Sequence, residues 1–368
     1  MLSKSAETPS GLKSDPTARD VFALAWPMTL KAIMLHGTVV IDAYLVSSLG
    51  ETALAAMGLA AAIAGFVLGG ILAFANAMQI RTAQAFGTGD AVFLKSALAS
   101  GMIISLLVGC FGLGVIILTG GTLIDATAPS LEAATLSKDY LAIFSFVIVG
   151  EAIGQCLSSY FNGCGRTRLP LYSFCLSLPI NVTLSIILIH GYFGFPAFGV
   201  AGAAMGSAVA VVVQAGFLLI RLLQLDGHLR HVEGWRQSDF RKTLKRHVAF
   251  SLPIAATFMS AVFSAQVCAL IYARLSLNEF AAMTIIAPWI MVAGTIGMQW
   301  SQATGIFVAQ LLGQNRSEAL LDRFLSRAWR GAFIAAAIVS IIYLLVCLSA
   351  PTLCAALPPA TRMVLLAF

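Results

Sequence analysis

Charge is what this chain has least of. Of its 368 residues, 16 are acidic and 22 basic, 10% in all, where a soluble domain carries roughly a quarter. An ordinary soluble enzyme is therefore excluded. The seven cysteines contain no Cys-x-x-Cys pair and lie scattered in apolar stretches, so they read as small core residues with neither a disulfide framework nor a metal site. A Walker-type phosphate loop is missing, which excludes ATP hydrolysis by this chain. Strands alternating between polar and apolar residues are missing too, so a water-filled barrel does not fit.

What is present is apolar. Hydrophobic residues make up 59% of the chain and the mean hydropathy is +0.91. At about 20 apolar residues per span plus short loops, the length holds roughly nine or ten membrane helices. Residues 1–20 are a polar tail with Pro9 and Pro16, lacking the apolar core of a signal peptide. Spans are expected at 21–46, 52–80, 93–119, 136–160, 169–191 and 200–223, then, after a basic linker at 224–246, at 247–274, 280–308 and 331–350. A tenth begins after Pro358-Pro359 and stops at Phe368. With the N-terminus in the cytoplasm, 18 of the 22 Lys and Arg residues fall on the cytoplasmic side, as the positive-inside rule requires. Lys31 lies within the first span, near its inner end, where it can snorkel. The net charge of +6 belongs to these loops and to anionic lipid; it does not imply nucleic acid.

Self-comparison reveals a repeat. Pro27 recurs as Pro253, Ala55-Ala56-Met57 as Ala281-Ala282-Met283, and Ala83-Gln84 with Gly87 as Ala309-Gln310 with Gly313, all 226 positions apart. Copies separated by six spans keep one orientation, so the expected fold is an all-α polytopic membrane protein of two parallel-repeat six-helix lobes, the second incomplete. The tail is 1–20, the first lobe 21–223, the linker 224–246 and the partial second lobe 247–368. Folds of this kind place substrate between the halves and rock one against the other. A full second copy would run to about residue 449, so the sequence reads as truncated, frameshifted, or shortened in its lineage by roughly two and a half helices.

The residues resemble the multidrug and toxic compound extrusion (MATE) family. The resemblance rests on the first span with Pro27 and Val40-Ile41-Asp42-Ala43-Tyr44, on Leu49-Gly50 with Leu54-Ala55-Ala56, and on Ala83-Gln84-Ala85-Phe86-Gly87-Thr88-Gly89-Asp90. It continues through Asn162-Gly163-Cys164-Gly165-Arg166-Thr167-Arg168-Leu169-Pro170 and Gly199-Val200-Ala201-Gly202-Ala203-Ala204. It implies twelve helices in two lobes, a monomer in the bacterial inner membrane, and export of organic cations or other amphiphiles in exchange for H⁺ or Na⁺, with no other cofactor and no nucleic acid.

Asp42 is the leading candidate for coupling. A carboxylate in the outer half of a span is expensive and marks an ion pathway, and the family's first-helix acid falls on it. By the same resemblance, Asn181 in the fifth span supports that ion site, and Na⁺, if it is the coupling ion, meets Asp42 and Asn181. Ser185 stands where the family often has an Asn or Asp, which weakens direct Na⁺ coordination; Ser207 takes the sixth-helix hydroxyl position. Pro27 removes a helix hydrogen bond, and in the family a bend of this helix accompanies protonation. His36 is a candidate proton partner, and Gln266 and Gln299 candidate cavity residues. The repeat counterpart of Asp42 is Cys268, and no acid stands near Met259-Ser260-Ala261-Val262, which puts coupling in the first lobe. Glu151, framed by Gly150 and Gly154, is expected to pair with Lys31 or a loop Arg in a structural role. Gly87-Thr88-Gly89-Asp90 matches the Gly-x-Gly-Asp of intramembrane aspartyl proteases but lacks a facing second aspartate, and Asn315-Arg316-Ser317 is a sequon on the cytoplasmic side. The alternatives to a drug/cation antiporter are a lipid-linked saccharide flippase of the same superfamily, whose cavity would be more cationic, and a non-functional truncated remnant.

Overall fold

The computed structural model describes residues 12–128, 130–226, 237–272 and 277–353, with the main chain alone at 237–239, 262–263, 265–272, 277–293, 342–343 and 346–353. Among these residues the fold is helical throughout. The helices are α1 (Ala18–Ser47), α2 (Glu51–Thr88), α3 (Ala91–Thr127), α4 (Leu131–Gly163), α5 (Arg168–His190), α6 (Val200–Asp226), α7 (Gln237–Tyr272), α8 (Leu277–Gly313) and α9 (Glu318–Leu353), with one 3-10 turn at Tyr192–Gly194. Helices satisfy every main-chain polar group within one segment, which a hydrocarbon environment demands. Seven segments, α1 to α6 and residues 318–341 of α9, are long and apolar enough to cross a bilayer. The chain is an all-α, multi-pass membrane protein. The expected tenth span lies outside the described residues.

The helices overrun the apolar runs that announce them. The second expected span ends at residue 80, yet α2 continues to Thr88, and α7 begins at Gln237, inside the stretch read as linker. The ends of α1 to α3 on that side carry their own caps. At the start of α1 the Thr17 N–H donates to the Asp20 carboxylate (2.8 Å) while the Thr17 hydroxyl accepts from Asp20 N–H (3.4 Å), a capping box. Gly89, at φ +70°, closes α2 in the left-handed region, and Asp90 then accepts from Val92 N–H (2.8 Å) to open α3. Gly87-Thr88-Gly89-Asp90 is thus a helix stop followed by a helix start. The expected loop there is two residues long, and its acid is occupied as a cap.

Helix α4 packs on α2, α3 and α6, α2 packs on α3, and α5 lies along α6 and α1. The close fit of α5 to α6 comes from Gly202 and Gly206, four residues apart: a Cβ at Gly202 would collide with the Leu188 main chain, and one at Gly206 with Ser185. Small residues one turn apart let two backbones approach in this way. One core, including Val46, Ile71, Ile116, Ile148 and Ala204, ties α1 to α6 together. A second lies at the opposite end of α1, where Val21, Leu24 and Met28 meet Ile306, Phe307 and Phe324 of α8 and α9.

Described contacts between α1–α6 and α7–α9 gather at the end that carries the N-terminus. There a Cβ at Gly87 would collide with the carbonyl of Gln310, and one at Gly313 with the carbonyl of Gln84. The two contacts exchange under the 226-residue offset. The Gln310 amide donates to the Gly163 carbonyl (2.9 Å), Ser100 pairs with His247 (2.5 Å), and Arg327 with Asp15 (2.9 Å). At its other end α1 leaves Val39, Val40 and Tyr44 more than half exposed.

Candidate functional site

Five helices of the first half enclose a cavity of about 320 Å³. Four contribute a stripe at helical spacing: Leu35, Thr38, Val39 and Asp42 from α1; Phe144, Val147, Glu151 and Gln155 from α4; Phe174, Ser177, Leu178 and Asn181 from α5; Ser207, Ala210, Val211 and Gln214 from α6; with Leu68, Gly69, Ile71 and Leu72 of α2 closing the wall. Residues three, four and seven apart share a helix face, so each stripe is the face its helix turns inward. The walls are mostly hydrocarbon, with a few polar groups converging, as in sites for amphiphilic small molecules.

Asp42, Asn181 and Ser207, singled out from the sequence, all line this cavity. The α5–α6 contact through Gly202 and Gly206 brings the Asn181 amide N–H₂ to the Ser207 hydroxyl at 3.0 Å. That fixes the Asn181 side chain and leaves its carbonyl oxygen buried with no partner among the described residues, as is Oδ1 of Asp42. Burying an acceptor without a donor costs about 1–3 kcal/mol. Two such oxygens in one cavity constitute an acceptor set suited to a proton or a cation.

Ser185 does not join them. It is fully buried one turn beyond Asn181, against Gly206, and the cavity wall does not include it. His36 is six residues before Asp42, which rotates it about 240° around the helix axis; its Nε2 lies 3.4 Å from the Thr295 hydroxyl of α8, away from the Asp42 cavity. Gln299 is buried in α8 and is likewise not part of the wall, and the side chain of Gln266 lies outside the described residues. Helix α1 is continuous through Pro27, whose ring is buried.

The expected pairing of Glu151 with Lys31 does not form. Lys31 donates to the Ser158 hydroxyl at 2.8 Å, whereas Glu151 accepts from Gln155 at 3.0 Å and faces the cavity. No ion pair within 4.0 Å joins them. The cavity therefore holds two carboxylates, one more than the sequence reading assigned. Gly150 packs toward Val211 of α6, and one residue further on, about 100° round the helix, the Glu151 side chain turns to the cavity. No basic residue belongs to the wall.

Comparison with known proteins agrees with this architecture. The MatE family profile matches residues 27–187, which include α1 from Pro27 and most of α5. A probable multidrug resistance protein NorM of Rhizobium meliloti is 30% identical over 278 residues, covering 74% of this chain and 58% of its own length. The corresponding protein of Bradyrhizobium diazoefficiens is 27% identical over 342 residues, 88% of this chain and 70% of its own. The chain thus spans between one half and three quarters of the length of these relatives. Among solved structures, a crystal structure of MATE in complex with MaL6 superposes with a TM-score of 0.81 at 19% identity, over 100% of this chain and 80% of that one, a likeness of fold. Over residues 27–187, and in the fold of the whole, the chain resembles the MatE family, whose members are membrane transporters rather than enzymes.

Proposed function

We propose that the protein is a secondary active antiporter that exports organic cations or related amphiphiles in exchange for H⁺ or Na⁺, with Asp42 as the coupling residue. The observation that carries this reading is the convergence of Asp42, Asn181 and Ser207 on one cavity with two unpartnered buried oxygens. A coupling site must be emptied of its ion before it takes substrate, and a cavity with vacant acceptors beside apolar walls serves both. The acidic wall favours cationic cargo over the anionic headgroup of a saccharide carrier. The names of the two NorM relatives agree with multidrug export.

In this reading α1–α6 form one lobe and α7 onward the second. The chain lies in the bacterial inner membrane with its N-terminus in the cytoplasm, because that orientation places the basic connections inside. The contacts at Gly87 and Gly313 then close the cytoplasmic end, and the exposed Val39, Val40 and Tyr44 face an outward opening. Pro27 gives α1 a place to bend, since proline leaves the Ala23 carbonyl without its helical donor.

The test is efflux of a fluorescent cation from cells lacking other pumps. Wild type lowers dye accumulation, and Asp42→Asn abolishes the effect at equal membrane abundance. Efflux by Asp42→Asn at the wild-type rate, with unchanged response to the proton or sodium gradient, removes Asp42 from the mechanism.

A further inference from the structure

A second cavity, of about 480 Å³, lies at the end of the molecule where the two halves meet. We propose that it binds a phosphate group, and that the bound group holds this end shut. Its wall includes Lys13 of the N-terminal segment, Arg166, Thr167 and Arg168 at the start of α5, and Phe307 and Gln310 of α8.

The first turn of a helix leaves main-chain N–H groups unpaired and carries the positive end of the helix dipole, a ready anion site. Most helices spend that potential on a cap. Here Thr167 stands at the N-cap of α5 in right-handed helical backbone (φ −63°, ψ −18°), and its side chain makes no cap hydrogen bond. The Leu169 N–H donates to the Arg166 carbonyl (3.1 Å) and Pro170 has none, so the N–H groups offered here are those of Thr167 and Arg168. The residue is 3% exposed and lines the cavity, and among the described residues its hydroxyl has no hydrogen-bond partner. It is a buried donor facing an open space.

The charges around it point the same way. Three cations line the cavity against one acid, Asp20. That acid is already held by Lys13 (2.6 Å) and by the Thr17 N–H (2.8 Å) and hydroxyl (2.7 Å). Arg166 uses Nη1 on Asp226 at 2.6 Å and keeps its remaining N–H groups. The Arg168 guanidinium lies over the Trp26 ring, 5.9 Å from its centre, and makes no ion pair among the described residues. Cys164, also in the wall, adds no negative charge, because burial pushes its thiol up to about 12. Two guanidinium groups, an ammonium, a hydroxyl and a helix N-terminus offer more donors than a carboxylate can use. A phosphate, with three acceptor oxygens or more and up to two charges, matches them.

Phe307 and Gln310 come from α8 while the donors come from the first half, so the cavity exists only when this end is closed. A ligand that binds only the closed arrangement shifts the population toward it. Inorganic phosphate or a soluble phosphate ester is one source; a phospholipid headgroup, concentrated at a membrane surface beside basic loops, is the other.

The experiment uses the purified full chain in neutral detergent, with thermal unfolding followed by tryptophan fluorescence. Inorganic phosphate is titrated at constant ionic strength, and short-chain phosphatidylglycerol is titrated against phosphatidylcholine in a separate arm. A saturable rise in midpoint with inorganic phosphate, weakened tenfold or more by Arg168→Gln and by Thr167→Val and unchanged by Asp42→Asn, supports the site with a soluble ligand. A rise with phosphatidylglycerol alone, lost in the same variants, supports it with a headgroup. If Arg168→Gln fails to fold, Lys13→Gln, at an exposed position, replaces it. No saturable shift in either arm, or equal shifts in wild type and variants, overturns the proposal.

Discussion

Replacing Gly87 by alanine tests whether the two halves meet as closely as the structure places them. The added methyl group meets the main-chain carbonyl of Gln310, which cannot rotate away as a side-chain tip can, so α2 and α8 must separate. Gly305, also within α8, has nothing within 4 Å of its would-be Cβ. Both substitutions gain the same helix preference of about 0.5–1 kcal/mol, so that gain cancels in a comparison. What is left is the overpacking cost at Gly87, about 1–3 kcal/mol, toward the upper end because the obstacle is backbone. Thermal unfolding should place Gly87→Ala below Gly305→Ala by several degrees. Gly313→Ala, which meets the carbonyl of Gln84, should match Gly87→Ala. Cys164, 5% exposed at this same end, supplies a second readout, since separation of the helices should raise its alkylation. Equal midpoints for Gly87→Ala and Gly305→Ala, with Cys164 still protected, would refute the close contact.

Glu151→Gln should keep the fold and the Gln155 contact in altered form, while weakening efflux of dicationic dyes more than of monocationic ones; equal loss for both would deny the second carboxylate a part in cation recognition. Arg166→Ala strands Asp226, which is 7% exposed, and should cost about 2–4 kcal/mol, less than a fully buried pair because Arg166 is a third exposed. The double change Arg166→Met with Asp226→Leu should recover most of that loss in the same melt. Cys110 and Cys175 are exposed, whereas Cys164 keeps its proton well above pH 8 because burial pushes it up to about 12. A water-soluble maleimide at pH 8 should therefore leave Cys164 unmodified until the protein unfolds, as peptide mapping would show.

The spans were legible because a bilayer imposes one requirement, a long apolar run, that composition displays directly. Their ends were not, since the terminal turns of α2 and α7 stand outside the apolar run, and where α2 stops depends on a single cap at Gly89. Gly89 and Asp90 illustrate the difficulty: four residues that look like a loop are the last turn of one helix and the cap of the next. Asp42, Asn181 and Ser207 could be named because an acid, an amide and a hydroxyl in apolar helices are conspicuous. Whether such residues meet depends on how far each helix is rotated, which a single sequence does not display. Hence His36 turned toward α8, Ser185 sank into the α5–α6 seam, and Glu151 entered the cavity instead of reaching Lys31. The glycine frame around Glu151 signalled packing, correctly for Gly150, but the packing face and the cavity face are only one residue apart.

The length of α2 has a mechanical consequence. Its 38 residues extend about 57 Å at 1.5 Å per residue, nearly twice the hydrocarbon thickness of about 30 Å. If α2 pivots about its midpoint, Gly87 rides at the tip of a lever about 27 Å long, at the same rise per residue. A swing of about 10° moves that tip by nearly 5 Å, one helical pitch being 5.4 Å. A joint made by a residue without a side chain has no slack to follow such a movement. It would hold or let go, and a gradual tilt at the pivot would become an abrupt parting at the tip.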